Sequence, residues 1–121
     1  MAILVGVLLA LPATGSLSEK FHTPPDSPVP GKVTLVDLGA KTCVPCKMMA
    51  PILDELEKEY ADRAAILFID ILENPEAGRK YGIQLIPTQI FYDASGKEAF
   101  RHEGFLDKAA IVAQLEKLGV K

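Results

Sequence analysis

Cys43 and Cys46 are the only cysteines in the 121-residue chain, and Val44-Pro45 separates them. They stand where an apolar, β-branched run over residues 33–38 gives way to helical spacing. A thiol at the start of a helix meets unpaired backbone N–H groups and the positive end of the helix dipole. Both favour thiolate over thiol. Three positions apart, the second sulfur can reach the first, so the pair can close into a disulfide and reopen. Zinc sites and haem attachment use the same spacing, so spacing alone leaves them open. A structural zinc site needs four ligands, however, and the two histidines, His22 and His102, lie far off in sequence. One such pair is no disulfide framework either, so the fold must stand on its hydrophobic core.

The elements that would position this pair can be read in order. The run 33–38 fits a strand buried on both faces, although Asp37 interrupts it and an acid there needs a reason. Beyond the cysteines, Met49, Ile52, Leu53, Leu56 and Tyr60 recur at helical spacing, with Asp54, Glu55, Glu57, Lys58 and Glu59 on the other side. Pro51 lies inside that helix and removes one of its hydrogen bonds, which predicts a kink. Residues 64–70 read as a second buried strand. Asn74 is a candidate N-cap with Pro75 at the first helical position, and Gly82 ends that short helix near Tyr81. Residues 88–92 make a third strand, 93–96 a turn, and 97–102 a fourth strand. Asp107 can cap a last helix with Ile111, Val112, Leu115 and Leu118 on its apolar side. The order β-α-β-α-β-β-α predicts an α/β fold, a central four-stranded mixed sheet with helices on both faces.

Around this domain the chain changes character. Residues 1–18 carry no charge, and 2–11 form one apolar run, short of the ~20 residues a bilayer span needs. The run suits the apolar part of a signal peptide, with small residues nearby for cleavage, although the usual basic flank is missing. A truncated membrane anchor, or an extra strand or helix packed on the domain, fits the same residues. Residues 19–31 are polar and hold Pro24, Pro25, Pro28 and Pro30, as a semi-rigid linker would. The expected division is an apolar leader at 1–18, a linker at 19–31 and one domain at 32–121. A net charge of −3 without a basic run argues against a nucleic-acid partner.

Several features together resemble the thioredoxin family over residues 32–118. They are Val36-Asp37 six residues before the first cysteine, Cys43-Val44-Pro45-Cys46-Lys47, Ala50-Pro51, Asn74-Pro75, Lys80-Tyr81-Gly82-Ile83, Ile86-Pro87-Thr88, Gly96 and Gly104. The resemblance implies the thioredoxin fold and a redox-active Cys43–Cys46 disulfide with no other cofactor and no metal. It makes Cys43 the exposed nucleophile that forms a mixed disulfide, and Cys46 the buried thiol that resolves it. Asp37 matches the family's buried acid, a candidate base for the Cys46 thiol or a proton acceptor through water, whose pKa desolvation should raise. Pro87 matches the cis-proline, where the backbone of Ile86 pairs with a substrate chain like an added strand. Gly104 matches the groove glycine that leaves room for a partner, and Val44 and Pro45 complete the substrate-contacting rim.

The departures matter as much. Family members typically carry Trp beside the motif and Gly between cysteine and proline. This chain has no Trp, with Gly39 and Thr42 near the motif and Val44 within it. A lysine often found near the buried acid is replaced, by alignment, with Phe68, which should push Asp37 further towards its protonated form. These features point to exported or membrane-associated members rather than the general cytoplasmic protein. The expected activity is reduction of protein disulfides by a monomer, with electrons from an upstream thiol donor such as a transmembrane thiol carrier. Oxidase or isomerase action, or a docking module with a regulatory disulfide, remain the alternatives.

Overall fold

Strand β1 (Val33–Gly39) is buried along its whole length because it lies inside the sheet with partners on both edges. The computed structural model describes residues 27–121, so the leader and residues 19–26 of the linker lie outside the described residues. After β1 come α1 (Val44–Glu59), β2 (Ala64–Asp70), α2 (Pro75–Lys80), β3 (Thr88–Tyr92), β4 (Glu98–Glu103) and α3 (Lys108–Lys117). The strands lie in the order β2-β1-β3-β4. β1 runs parallel to β2 and antiparallel to β3, and β3 runs antiparallel to β4. This is the mixed four-stranded thioredoxin fold expected from the sequence.

Alternation along the strands divides the core in two. Val33 and Leu35 of β1 join Ile66 and Phe91 under Met49, Leu53 and Leu56 of α1 and Ile111 and Leu115 of α3. Val36 and Leu38 point to the opposite face and join Ile69 and Ile90 beneath Ala77 of α2 and Tyr81. Strand β4 is mostly exposed, but Phe100 brings its ring to 5.7 Å from Phe91 across the pair.

Local chemistry sets the element ends. Asp107 accepts the Ala110 N–H at 2.8 Å, the N-cap that the sequence suggested. Asn74 stands at the N-cap of α2 but makes no side-chain cap; its amide donates instead to Asp70 O at 3.1 Å. Gly82 adopts φ 64° just after α2, a backbone that a side chain would strain. Helix α1 continues through Pro51 over its full 16 residues. The turn before β4 is held by Asp93, whose Oδ1 accepts the N–H groups of Ser95 and Lys97. The last residues of the linker lie against the domain: Val29 N–H donates to Thr34 Oγ1 at 3.1 Å, and Ser27 and Tyr81 share a hydroxyl hydrogen bond.

Leu56 is fully buried between α1 and the sheet, so Leu56→Ala should lower unfolding free energy by about 2–5 kcal/mol through lost burial and the cavity left behind. Glu57→Ala, on the exposed side of the same helix, should change it by under ~0.5 kcal/mol. Urea unfolding of the two variants checks the orientation of α1.

Candidate active site

The cysteine pair forms a disulfide with its Cα atoms 5.1 Å apart at the start of α1. Cys43 is the N-cap, with extended backbone at φ −84° and ψ 127°. Its sulfur accepts the Cys46 N–H at 3.3 Å, while its carbonyl accepts the first helical bond from Lys47 N–H at 2.9 Å. Pro45 sits in the first turn, where its missing N–H leaves no bond unmade. Cys43 is half-buried, whereas Cys46 is only 4% exposed. The two sulfurs therefore differ in access, and the accessible one faces the helix start.

Gly39 leaves room for Cys46 to pack closely on the end of β1. A Cβ added there would lie 3.0 Å from Cys46 Sγ and 3.3 Å from its Cβ. The loop between Gly39 and Cys43 is fixed from the β2 end by Asp70. One carboxylate oxygen of Asp70 accepts the Lys41 N–H at 3.1 Å, and the other accepts the N–H groups of Leu72 and Glu73 at 2.8 and 3.2 Å. Burial opposes ionisation of Asp70, but these three bonds and the Lys41 charge together hold its carboxyl below the usual range. Ile71 N–H donates to Gly39 O at 2.9 Å and completes the junction.

Asp37 lies two residues before Gly39, hence on the same face of β1 as the position that meets Cys46. It is fully buried. Its cross-strand partner in β2 is Phe68, as the alignment suggested, so no positive charge stands there. Its partner in β3 is Gln89, whose Nε2 donates to Asp37 Oδ1 at 3.0 Å. Burial raises the Asp37 pKa from 3.8 to about 6, against the Gln89 hydrogen bond, which lowers it. Gln89 was not among the residues singled out by sequence. Its signal was parity: alternation puts it on the same core face as Phe91, where an amide is out of place. Asp70, likewise missed, looked like the polar end of a strand.

The remaining expected site residues gather by topology at one end of the sheet. The first residue of β3, Thr88, pairs with Leu38 near the end of β1 and with Glu103 at the end of β4. Pro87 and Gly104, the residues just outside, are therefore brought together, and Gly104 N–H donates to Pro87 O at 2.7 Å. The Ile86–Pro87 peptide is cis. Gly104 has φ 95° and open space where a Cβ would project. Leu106 N–H reaches Met49 Sδ at 3.5 Å, tying the segment after Gly104 to α1. Val44, Met48, Leu85 and Phe105 leave large apolar side chains exposed, and Val44 is 69% accessible. Among the described residues, no three of His, Cys, Asp and Glu come together as metal ligands.

Because folding raises the Asp37 pKa, its contribution to stability is intact below 3.8 and is lost as pH rises through about 6. Moving the midpoint that far corresponds to roughly 3 kcal/mol. Asp37→Asn should therefore raise unfolding free energy by roughly 2–3 kcal/mol at pH 8 and change it little at pH 4. Denaturant unfolding at the two pH values is the measurement, and an equal effect at both would contradict the burial argument.

Comparison with known proteins agrees with this geometry. The thioredoxin family model matches residues 20–117. A Staphylococcus aureus thioredoxin is 41% identical over 92 residues, covering 76% of this chain and 88% of its own. Among solved structures, an exposed lipoprotein thioredoxin of Streptococcus pneumoniae superposes with a TM-score of 0.65 at 25% identity, covering 72% of this chain and 85% of that one. Fasciola hepatica thioredoxin gives 0.64 at 30% identity, covering 73% and 82%. The chain belongs to the thioredoxin family and is a thiol-disulfide oxidoreductase whose redox group is its own cysteine pair.

Proposed function

We propose that the protein is a reductase of protein disulfides in which Cys43 attacks and Cys46 resolves. The observation that carries this reading is the asymmetry of the pair. Cys43 is accessible and its sulfur takes an N–H from the helix start, while Cys46 is shut away beneath it. Donated hydrogen bonds and the dipole stabilise a Cys43 thiolate, and a free thiolate is the attacking species.

The steps balance as follows. The Cys43 thiolate attacks one sulfur of a substrate disulfide; a Cys43–substrate bond forms and the substrate's own S–S bond breaks, expelling one thiolate. Cys46 then loses its proton, for which Asp37 is the nearby acceptor on the same face of β1. The Cys46 thiolate attacks Cys43 Sγ, the intramolecular disulfide closes, and the second substrate thiolate leaves. Two electrons pass to the substrate, and an upstream thiol donor must return them before another turnover. A pKa of about 6 lets Asp37 both take and return a proton near neutrality.

Substrate would lie over the exposed rim. The Ile86 backbone offers strand-like hydrogen bonds beside cis-Pro87, Gly104 leaves the groove open, and Val44 and Pro45 supply contact next to the nucleophile. The Trp-free rim and the uncharged segment 1–18 support work outside the cytoplasm, exported or membrane-associated. Similarity to an exposed lipoprotein thioredoxin supports the same placement, and a transmembrane thiol carrier would then be the electron donor.

Cys43→Ser should abolish dithiol-dependent insulin reduction, and Cys46→Ser should accumulate mixed disulfides visible on non-reducing gels. Full activity in Cys43→Ser would sink the reading. The direction of electron flow has its own test, the reduction potential against glutathione. Superfamily potentials run from about −270 mV to about −120 mV, and a value above about −150 mV would make this chain an oxidant.

A further inference from the structure

Asp37 and Gln89 are both fully buried, face each other across β1 and β3, and are joined by one hydrogen bond, Gln89 Nε2 to Asp37 Oδ1. The other two oxygens of this pair, Asp37 Oδ2 and Gln89 Oε1, have no partner among the described residues. Both are acceptors when Asp37 is ionised, so neither can satisfy the other, and leaving buried polar atoms unpaired is costly. A single hydrogen on Asp37 Oδ2 changes this. The carboxyl can then donate to the amide carbonyl, which would give acid and amide two antiparallel hydrogen bonds. The torsions that must turn to align the two planes, the last ones of Asp and Gln, are soft.

We propose that Gln89 is the positioning residue for the proton that moves during resolution, its Nε2 holding Asp37 Oδ1 and its Oε1 receiving the hydrogen that Asp37 Oδ2 takes up. The proposal rests on the reductase reading above and assigns the partner of its acid. When Cys46 gives its proton to Asp37, the S–H bond breaks, the carboxyl O–H bond forms, and the electron pair left on sulfur goes into the new bond to Cys43. Gln89 gains a hydrogen bond at that moment and loses it when the proton returns. A neutral amide suits this better than a cation. A positive charge would favour only the ionised form, whereas an amide can donate to the carboxylate and accept from the acid.

The surroundings leave the pair to itself. β2 presents Phe68 to Asp37, α1 presents Cys46 at the neighbouring Gly39 position, and α3 contributes Ile111 and Leu115 to the same core face. β4 places His102 opposite Gln89, one strand beyond the acid, with its Nε2 3.1 Å from Phe105 O. Apart from Cys46, His102 is the titratable group on that row of the sheet.

The test needs no turnover in its first arm. Side-chain NMR of the isotope-labelled full chain, oxidised and reduced, should show the Gln89 carboxamide and the Asp37 carboxyl carbon moving through one common midpoint. The Gln89 movement should vanish in Asp37→Asn. A Gln89 signal that stays still while Asp37 titrates overturns the proposal and leaves the reductase reading standing. Conversely, an active Cys43→Ser would remove the reductase reading without touching this titration. The second arm uses Gln89→Leu, which fits a buried strand position and removes the one donor to the carboxylate among the described residues. Losing Nε2 strips a buried charge of its donor, while losing Oε1 costs the acid a neutral bond; the first is the larger, so the midpoint for single-turnover release of substrate thiol should rise, by at most about one pH unit, with release up to roughly fivefold slower at pH 6 and close to wild type above about pH 8. A loss that is the same at every pH, as a structural role would give, also overturns it.

Discussion

A carboxyl group buried in the central strand is the constraint around which this molecule is arranged. Asp37 could sit at no worse place for its own hydration: β1 has a strand on each edge and helices over its core face. Burial favours its neutral form, and a cation beside it would favour the ionised one. The chain fixes neither. An aromatic ring on β2 supplies no charge, an amide on β3 supplies one donor, and the midpoint falls near 6. The acid therefore changes state in the range where thiols exchange protons, at a cost in stability that the two apolar layers of the core must cover.

The same strand delivers the cysteines. Alternation that points Asp37 at the α1 face points Gly39 there too, and the missing side chain lets Cys46 pack directly on the strand end. The chain then turns through Ala40–Thr42 into a helix whose first free N–H groups meet Cys43. Asp70 pins this turn with three backbone hydrogen bonds, so the geometry of the redox pair depends on two acids with opposite electrostatics. Burial raises the Asp37 pKa against a single donor, whereas three backbone N–H groups and the Lys41 charge outweigh burial at Asp70 and its pKa falls. Burial set against hydrogen bonding separates the acid that can exchange a proton near neutrality from the one that serves as a fixed anchor.

Much of this was legible in the sequence because it rests on local rules. The element order, the cap at Asp107, the helix start at the cysteines, the burial of Asp37 and the cis bond before Pro87 all follow from residue type and spacing, or from resemblance over a short motif. Register was the harder part. Phe68 could be placed opposite Asp37 only by alignment, and Gln89 not at all, because which strand lies on the other edge of β1 depends on the whole topology. Asn74 takes the expected N-cap position but makes no side-chain cap, because the carbonyl of Asp70, four residues back, takes its amide N–H and one local contact replaces another.

Two departures from the family pattern then prove to be parts of one exchange. A Cβ at Gly39 would stand 3.5 Å from Cε2 of Phe68, so the ring on β2 lies against the face that the missing side chain leaves bare. Phe68 itself remains 39% exposed and borders, with Ala40, Cys46, Ala50 and Leu53, a mainly apolar cavity of about 280 Å³ behind the buried thiol. The bulky side chain at this corner stands on β2 and not at the end of β1, and no lysine charge stands opposite Asp37. Once that charge is gone, the acid can stay responsive only if some other group steadies its ionised form without fixing it there. On the one remaining edge of β1, at the register position facing Asp37, the residue available to do so is Gln89.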